Sequence, residues 1–186
     1  MHREPLLQLL SRYKPLDGRD SAQLATLVSF IKEHPDCFSR SLECGHVTAS
    51  AWLLDSSQTR ILLTHHRKLN KWLQPGGHAD GNPDALSVAL QEAMEESGIN
   101  HIQPLSEAIF DIDIHPIPER DIPGSVSEPE HLHYDLRFAL KVHGPSKYIV
   151  SSESYDLAWV KINKLHTLTC EESLLRMREK WLLANP

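Results

Sequence analysis

The stretch that decides the fold runs from residue 76 to residue 99 and reads GGHADGNPDALSVALQEAMEESGI. It begins with a glycine turn and ends with three carboxylates, Glu92, Glu95 and Glu96, near the end of a predicted helix. Their spacing places them on one helical face, where like charges cost about 0.2–0.5 kcal/mol per pair, and the negative end of the helix dipole adds to that cost. A divalent cation would remove the repulsion, and carboxylate oxygens suit Mg²⁺ or Mn²⁺. A solvated acidic face is the alternative.

Local signals delimit this helix. Asn82 is a good N-cap, Pro83 suits the first helical position, and Gly98 is a common C-terminal stop, so we predict a helix over residues 83–97. Apolar residues recur at the helical period and form a stripe that we expect to be buried: Leu86, Ala89, Leu90, Ala93 and Met94. The glutamates lie toward the other side, so one face packs and the other is available for chemistry.

This segment resembles the signature of the Nudix hydrolases. That signature reads glycine, five residues, glutamate, seven residues, arginine, glutamate, aliphatic, any residue, two glutamates, any residue, glycine, aliphatic. The positions that fit are Gly77, Glu92, Ala93, Glu95, Glu96, Gly98 and Ile99. Two positions depart, because Pro83 stands at the first glutamate and Gln91 at the arginine. In the family the arginine orients the neighbouring glutamate, whereas glutamine can hydrogen-bond but carries no charge. Asp84 is a candidate to replace the missing acid.

The resemblance extends beyond this box. Residues 69–78 resemble the strand and turn that lead into it, and residues 45–51 and 60–66 resemble the first strands of the domain. We therefore predict a helical extension over residues 1–39 and a Nudix hydrolase domain, including a C-terminal helix, over residues 40–186. The fold class implied is α/β, an α/β/α sandwich with a mixed sheet.

Periodicity and turn residues predict the remaining elements. Further helices are expected over residues 5–12, 21–33 and 170–183, the second of them capped by Asp20 or Ser21. Strands are expected near residues 43–54, 60–66, 105–114, 131–143 and 155–161. Gly124 and four prolines predict a long loop over residues 115–130: Pro116, Pro118, Pro123 and Pro129.

The strand over residues 131–143 has the clearest alternation. Period two assigns one set of side chains to the core: Leu132, Tyr134, Leu136, Phe138, Leu140 and Val142. It assigns the other set to an open face: His131, His133, Asp135, Arg137 and Lys141.

Composition excludes several classes of protein. A chain of 186 residues with 40% hydrophobic content can bury a core. A net charge of −6 argues against nonspecific nucleic-acid binding. No run approaches the ~18 apolar residues of a membrane span, and the first residues lack the order of a signal peptide. The spacing of Cys37, Cys44 and Cys170 suits neither disulfides nor a metal site, so we expect a cytoplasmic protein.

The resemblance also implies a reaction. It implies hydrolysis of the phosphoanhydride bond in a nucleoside diphosphate linked to another group, or in a nucleoside triphosphate, with Mg²⁺ or Mn²⁺ as cofactor. The metal ligands implied are the carbonyl of Gly77 and the carboxylates of Glu95 and Glu96. Glu92 is implied either as a further ligand or as the base that accepts the water proton, so Glu92 and Glu96 are the catalytic candidates.

The base in many Nudix enzymes comes instead from a downstream loop. Glu119, Glu128 and Glu130 are candidates here, although each also fits a solvated loop acid. Four side chains are candidates for contact with substrate: Arg67, Lys71, His133 and Arg137. Each has a structural alternative. Arg67 and Lys71, like Lys68, also suit a solvated surface, and Arg137 could pair with Asp135.

Twelve histidines are many for this length, and six lie near the proposed site: His65, His66, His78, His115, His131 and His133. His131 and His133 lie two apart on one strand face and could ligate zinc or contact phosphate. Polar surface is the alternative, and no third ligand stands at a diagnostic spacing.

Pro83 and Gln91 leave a second function open, a Nudix-like nucleotide-binding or regulatory module with weakened catalysis. The partner expected in either case is a small-molecule nucleotide, without a membrane. The N-terminal helices could form a homodimer surface or cover the substrate pocket.

Overall fold

The structure is a computed structural model that describes residues 2–119 and 129–185. Within these residues the α-helices are α1 (Glu4–Ser11), α2 (Gly18–Glu33), α3 (Ala85–Ser97) and α4 (Glu172–Ala184). The strands are β1 (Gly45–Leu54), β2 (Arg60–His66), β3 (Lys71–Leu73), β4 (Gly76–His78), β5 (Ile102–Ile117), β6 (His131–Val142) and β7 (Ser154–Lys161). A 3₁₀ helix (Ile162–Thr167) joins β7 to the last helix.

The strands form a mixed sheet with the order β3-β2-β1-β6-β5. β1 and β6 are parallel and stay in register along their length, so that His46 lies beside His133 and Thr48 beside Asp135. β5 pairs antiparallel with β6, β4 pairs antiparallel with β1, and β7 pairs antiparallel with β2. The β1–β4 pairing places Gly77 beside Ala49 and so brings the glycine turn to the middle of the sheet.

Helices cover both faces of this sheet, each over its own apolar core. One core joins β1 and β6 to α2 and α3, and its members include Ala49, Leu136, Leu27, Phe30, Ala89 and Ala93. The other joins β1 and β2 to α4, and its members include Trp52, Leu54, Leu63, Leu174, Met177 and Trp181. Two helical layers around one mixed sheet confirm the predicted α/β/α sandwich.

Two helices begin elsewhere than predicted because a different residue caps them. α3 begins at Ala85, since the Asp84 carboxylate accepts a hydrogen bond of 3.0 Å from the backbone N–H of Ser87. α2 begins at Gly18, since the Asp17 carboxylate accepts from the backbone of Asp20. The predicted caps Asn82, Asp20 and Ser21 were therefore wrong.

The predicted loop over residues 115–130 was partly wrong as well. β5 continues to Ile117 and includes Pro116, which an edge strand tolerates because one of its sides needs no ladder hydrogen bond. Residues 120–128, with Pro123 and Gly124, lie outside the described part of the chain.

The open face predicted for β6 was wrong for His131, Asp135 and Arg137, which are 6%, 3% and 2% exposed. α4 and β5 enclose Asp135 and Arg137 in a buried ion-pair group that we call the aspartate network. It consists of Asp111, Asp113 and Asp135 together with Arg137, Arg176 and Lys180. The period-two alternation was correct, but polar side chains on that face pair with one another and do not meet solvent.

The N-terminal helices pack against the sheet domain. Leu6 and Leu10 of α1 and Leu27 of α2 belong to the same buried core as β1 and β6. A boundary near residue 39 stays a prediction. Cys37, Cys44 and Cys170 are free thiols. Within the described residues no helix combines the length and apolar character needed to cross a bilayer.

Candidate active site

The box glutamates lie where α3 passes the glycine turn of β4. We call Glu92, Glu95 and Glu96 the acidic cluster. Glu96 is 8% exposed, Glu92 is half-buried, and Glu95 is exposed. The backbone N–H of Gly76 donates a hydrogen bond of 3.1 Å to Oε1 of Glu96. A Cβ added to Gly77 would lie 2.4 Å from the carboxylate carbon of Glu92, so the glycine leaves the space that this carboxylate occupies.

The second oxygen of Glu96 is a buried acceptor. Oε2 has no hydrogen-bond partner within the described residues. The hydroxyl of Thr64 lies close enough to lower the pKa of Glu96, but by distance and angle its hydrogen bond is to the hydroxyl of Ser154. An unsatisfied buried acceptor is costly, at about 1–3 kcal/mol. A bound cation would satisfy it.

The protein compensates the charges of the acidic cluster only weakly, because the charge of Arg40 lowers the pKa of Glu92 but burial and the neighbouring acids outweigh it. Burial raises the pKa of Glu92 to about 7, and the charges of Glu95 and Glu153 add to this shift. Burial also raises the pKa of Glu96 to about 7, against the hydrogen bond from Gly76. Among the described residues, no lysine or arginine forms an ion pair with the acidic cluster. Arg40, whose charge acts on Glu92, pairs with Asp80, and Lys71 pairs with Glu171.

The donors of the acidic cluster fit a hard divalent cation. They are carboxylate oxygens on a rigid helix, next to a glycine turn, and one of them is buried without a partner. Mg²⁺ and Mn²⁺ prefer such oxygen ligands. The residues present therefore fit the metal that the box implies.

The two departures from the box each have a local explanation. Gln91 donates a hydrogen bond of 2.8 Å from its amide to Glu95, so a neutral contact holds this glutamate. Pro83 lines a small hollow together with Pro5 and Leu9 of α1, so its surroundings there are largely apolar. The Asp84 carboxylate serves as the N-cap of α3.

A fourth acid, Glu153, approaches the acidic cluster from the residue before β7. Its charge raises the pKa of both Glu92 and Glu96, and its backbone carbonyl accepts from the N–H of Arg67 at 2.9 Å. Sequence reasoning missed Glu153, because the pairing of β2 with β7 brings it to the site from a distant segment. No local signal around Glu153 distinguishes it from an ordinary loop acid.

The predicted loop bases lie at the ends of two neighbouring strands. Glu119 lies just after β5 and Glu130 just before β6, and neither is among the largest causes of the raised pKa of Glu92 or Glu96. Glu128 lies outside the described residues.

The predicted substrate contacts are dispersed. Arg67 contacts the residues that follow Glu153, since its guanidinium donates to the carbonyl of Ser154 at 2.9 Å and stacks over Tyr155 at 4.7 Å. Lys71 pairs with Glu171 at 2.9 Å. Arg137 is enclosed in the aspartate network, where it pairs with Asp135 at 2.7 Å. These placements favour the structural alternatives for Lys71 and Arg137.

His133 lies on the other face of the sheet. Gly77 and His78 are consecutive on β4 and therefore point to opposite faces, with Gly77 toward α3. His78 and His133 share the second face, with ring centroids 5.0 Å apart. Trp72 stacks on His65, with ring centroids 4.9 Å apart and an angle of 17° between the planes.

A larger cavity exists elsewhere in the molecule. It has a volume of about 720 Å³ and lies between α1, β5 and α4, with Leu9, Phe110 and Leu183 in its lining. It contains none of the box glutamates. The acidic cluster therefore lies apart from this cavity.

Comparison with known proteins bears on the fold. No protein-family model matches the chain. The m7GpppN-mRNA hydrolase NUDT17 of Danio rerio is 34% identical over 67 residues, a match that spans 33% of this chain and 22% of that relative. This chain thus matches about a fifth of the relative's length.

Several solved structures resemble this protein over a larger share of the chain. An Ap4A hydrolase of C. elegans, in a binary complex, has a TM-score of 0.54 at 16% identity and covers 75% of this chain and 98% of its own. A MutT protein of Methanosarcina mazei Go1 has a TM-score of 0.54 at 17% identity, covering 77% and 97%. A NUDIX family hydrolase of Clostridium perfringens has a TM-score of 0.53 at 24% identity, covering 75% and 98%. The resemblance carried by the box is confirmed, and this chain has the fold of the Nudix hydrolases.

Proposed function

We propose that this protein is a metal-dependent pyrophosphohydrolase that cleaves the phosphoanhydride bond of a nucleoside diphosphate linked to another group, or of a nucleoside triphosphate. The observation that carries the proposal is the acidic cluster, in which Glu92 and Glu96 are enclosed beside a glycine turn with raised pKa values. The relatives named as Ap4A hydrolase and m7GpppN-mRNA hydrolase support hydrolysis of nucleotides.

The cation is assigned to the acidic cluster and the carbonyl of Gly77. When bound, Mg²⁺ or Mn²⁺ supplies positive charge that neutralises phosphate oxygens and polarises the bond to be cleaved. Glu96 contributes its buried oxygen, and Glu95 is held in place by the amide of Gln91. A chain with a net charge of −6 needs this local neutralisation to bind a polyphosphate.

Glu153 is our candidate for the general base. It is exposed, precedes β7, and its charge acts on both Glu92 and Glu96. A carboxylate beside the cation ligands can accept a proton from the attacking water without giving up a ligand role. Glu92 is the alternative base, since a pKa of about 7 suits proton transfer near neutral pH.

The surface beside Glu153 suits a nucleotide. Tyr155 is 53% exposed and lies against Arg67 and His65. An exposed aromatic ring offers a stacking platform for a base, and the neighbouring guanidinium offers charge for phosphate. We assign the base to Tyr155 and a phosphate to Arg67.

A substrate panel tests this proposal. Nucleotide sugars, dinucleoside polyphosphates and nucleoside triphosphates are incubated with the protein in Mg²⁺ or Mn²⁺, and phosphate products are measured. Turnover should require the metal, and Glu96→Gln should lower kcat by about 100-fold or more, since it removes charge stabilisation at the reacting centre. Glu107→Gln, which changes an exposed acid on β5, is the matched control. Undiminished turnover in Glu96→Gln would reject the assigned role.

A second candidate function is a nucleotide-binding module with weak catalysis. It is favoured by Pro83, which lines a hollow beside α1 where the box has an acid, and by the neutral contact between Gln91 and Glu95. Gln91→Arg separates the two cases. A large gain from near-zero turnover indicates the weakened module, whereas robust turnover with little change indicates that glutamine suffices.

A further inference from the structure

Five imidazoles cluster at one end of the sheet, on the face opposite α3. His78, His46, His133 and His115 come from the neighbouring strands β4, β1, β6 and β5, and His131 precedes His133 on β6. Contacting rings have centroids 4.9–5.5 Å apart. So many imidazoles in contact form a set of nitrogen donors.

Three of them converge on one point. The ligand atoms of His46, His131 and His133 all lie within 4.8 Å of one another. The parallel register places His46 directly beside His133, and His131 lies on the same side of β6. Two nitrogens that each lie about 2.0–2.1 Å from a tetrahedral Zn²⁺ are roughly 3.4 Å apart. Movements of the three rings by about 1 Å or less would therefore bring their nitrogens to this spacing.

The hydrogen bonding of these rings favours metal ligation. Nδ1 of His131 lies 2.8 Å from the carbonyl of Pro129, which can only accept, so Nδ1 carries the proton and the lone pair is on Nε2. His46 is 2% exposed, and by distance and angle neither of its ring nitrogens has a hydrogen-bond partner within the described residues, although the backbone of Leu42 lies close enough to raise its pKa slightly. Leaving a buried polar ring unsatisfied is unfavourable, and a metal bond would satisfy it.

The charge state of the rings agrees with this geometry. Burial, together with the neighbouring histidines, lowers the pKa of His46 to about 4 and holds the pKa of His133 far below its usual range. Neutral imidazole is the form that binds metals, whereas contact with phosphate is best served by the charged form. The buried rings therefore suit a cation better than an anion.

We propose that His46, His131 and His133 form a Zn²⁺ site on the face of the sheet opposite the acidic cluster. Three protein ligands leave one coordination position for water or for a further ligand. His78 adjoins these ligands, with its ring 5.0 Å from those of His46 and His133. The site joins β1 to β6 and does not depend on the proposed function.

Zinc binding is measured on tag-free protein freed of metal with a chelator, in excess Mg²⁺ to occupy the acidic cluster. Calorimetry should give one equivalent of Zn²⁺, and Co²⁺ should give the intense visible absorption of a tetrahedral site. His46→Ala and His133→Gln should each weaken Zn²⁺ binding by about 100-fold or more, since even the loss of a residue that supports a ligand costs 10–100-fold. Bound Zn²⁺ should also raise Tm.

Two controls separate this site from others. His166→Ala changes an exposed histidine and should bind Zn²⁺ like the wild type. Glu96→Gln should also bind Zn²⁺ normally while losing its response to Mg²⁺, so failure of one site is distinguishable from failure of the other. The proposal is overturned if the wild type binds no equivalent of Zn²⁺, or if folded His133→Gln, whose ring is half-buried, retains full affinity.

Discussion

The acidic cluster and the aspartate network both gather carboxylates at the sheet, and they differ in what accompanies them. In the aspartate network, Arg137 pairs with Asp135 at 2.7 Å and with Asp113 at 3.2 Å. Arg176 pairs with Asp111 at 2.7 Å and with Asp113 at 2.8 Å. Among the residues that the structure describes, the acidic cluster has no such ion pair.

The pKa values follow this difference. Burial tends to raise the pKa of Asp113, but the hydrogen bond from His115 and the charges of Arg137 and Arg176 outweigh it and hold the pKa far below its usual range. In Glu92 the charge of Arg40 opposes burial, and in Glu96 the hydrogen bonds of Gly76 and Thr64 oppose it, but burial outweighs them and raises both pKa values to about 7. The chain supplies cations where acids serve structure, so we infer that the acidic cluster receives its cation from outside.

The largest change in stability is expected when a positively charged side chain of the aspartate network is removed. Arg137→Met should lower the free energy of unfolding by about 3–5 kcal/mol, because it leaves buried aspartates without compensation. Urea denaturation measures this change. Arg60→Met, at an exposed arginine, should change the free energy by less than about 0.5 kcal/mol. A loss below 1 kcal/mol in Arg137→Met would show that the two regions do not differ as described.

In the acidic cluster, removing a charge is expected to change the free energy of unfolding in the opposite direction. In metal-free protein at pH 8, Glu96→Gln should raise the free energy of unfolding by about 1–3 kcal/mol, because it removes a buried charge and can still accept from Gly76. Between the unfolded pKa of 4.5 and the folded value of about 7, the folded protein binds more protons than the unfolded chain. The charge of Glu96 therefore destabilises increasingly as the pH rises through this window.

The difference between wild type and Glu96→Gln should accordingly shrink toward zero at pH 5. His46 and His133 also make stability depend on pH, because their lowered pKa values make the free energy of unfolding rise with pH in an overlapping range. Their contributions are the same in both proteins and cancel in the difference. Denaturation at pH 5 and pH 8 in the presence of chelator gives both values. Destabilisation by Glu96→Gln at pH 8 would mean that its charge is already compensated within the protein.

Two glycine variants are expected to give smaller changes, one in Mg²⁺ affinity and the other in stability. Gly77→Ala should lower Mg²⁺ affinity about tenfold, or about 1.4 kcal/mol, because its Cβ would displace the carboxylate of Glu92. The stability of the metal-free protein should change little, since that carboxylate ends a flexible side chain. In Gly76→Ala the added Cβ would lie 2.3 Å from Cβ of Ser50 and 2.9 Å from the carbonyl of Ala49. That variant should lose stability, by about 1–3 kcal/mol.

Calorimetry with Mg²⁺ and urea denaturation on both glycine variants check this separation. Unchanged Mg²⁺ affinity in Gly77→Ala would remove Glu92 from the metal site.

The sequence predicted those features that depend on neighbours along the chain. The glycine turn, the helical stripe and the stop at Gly98, whose φ is +69°, depend on residues a few positions apart. The alternation of β6 was likewise local and correct. Caps were harder to predict, because Asp17 and Asp84 compete with nearby residues that have the same propensity.

Features that depend on distant pairing were not predictable from periodicity. Arg137 alternates like a solvent-facing residue and is buried because α4 brings Arg176 over the same face. Glu153 reaches the acidic cluster through the pairing of β2 with β7. His46 lies beside His131 and His133 because β1 and β6 pair in parallel, although more than 80 residues of chain separate them. A single sequence does not specify which segments pair at such separations.

The central claim is that the acidic cluster is completed by a cation from outside, and its most direct test is the unfolding of chelator-treated protein at pH 8 with and without Mg²⁺. We predict that Mg²⁺ at about 100 times its Kd stabilises the wild type by about 2.7 kcal/mol and leaves Glu96→Gln unchanged. A wild type that gains no stability from Mg²⁺, or a Glu96→Gln variant that gains as much as the wild type, would contradict the claim.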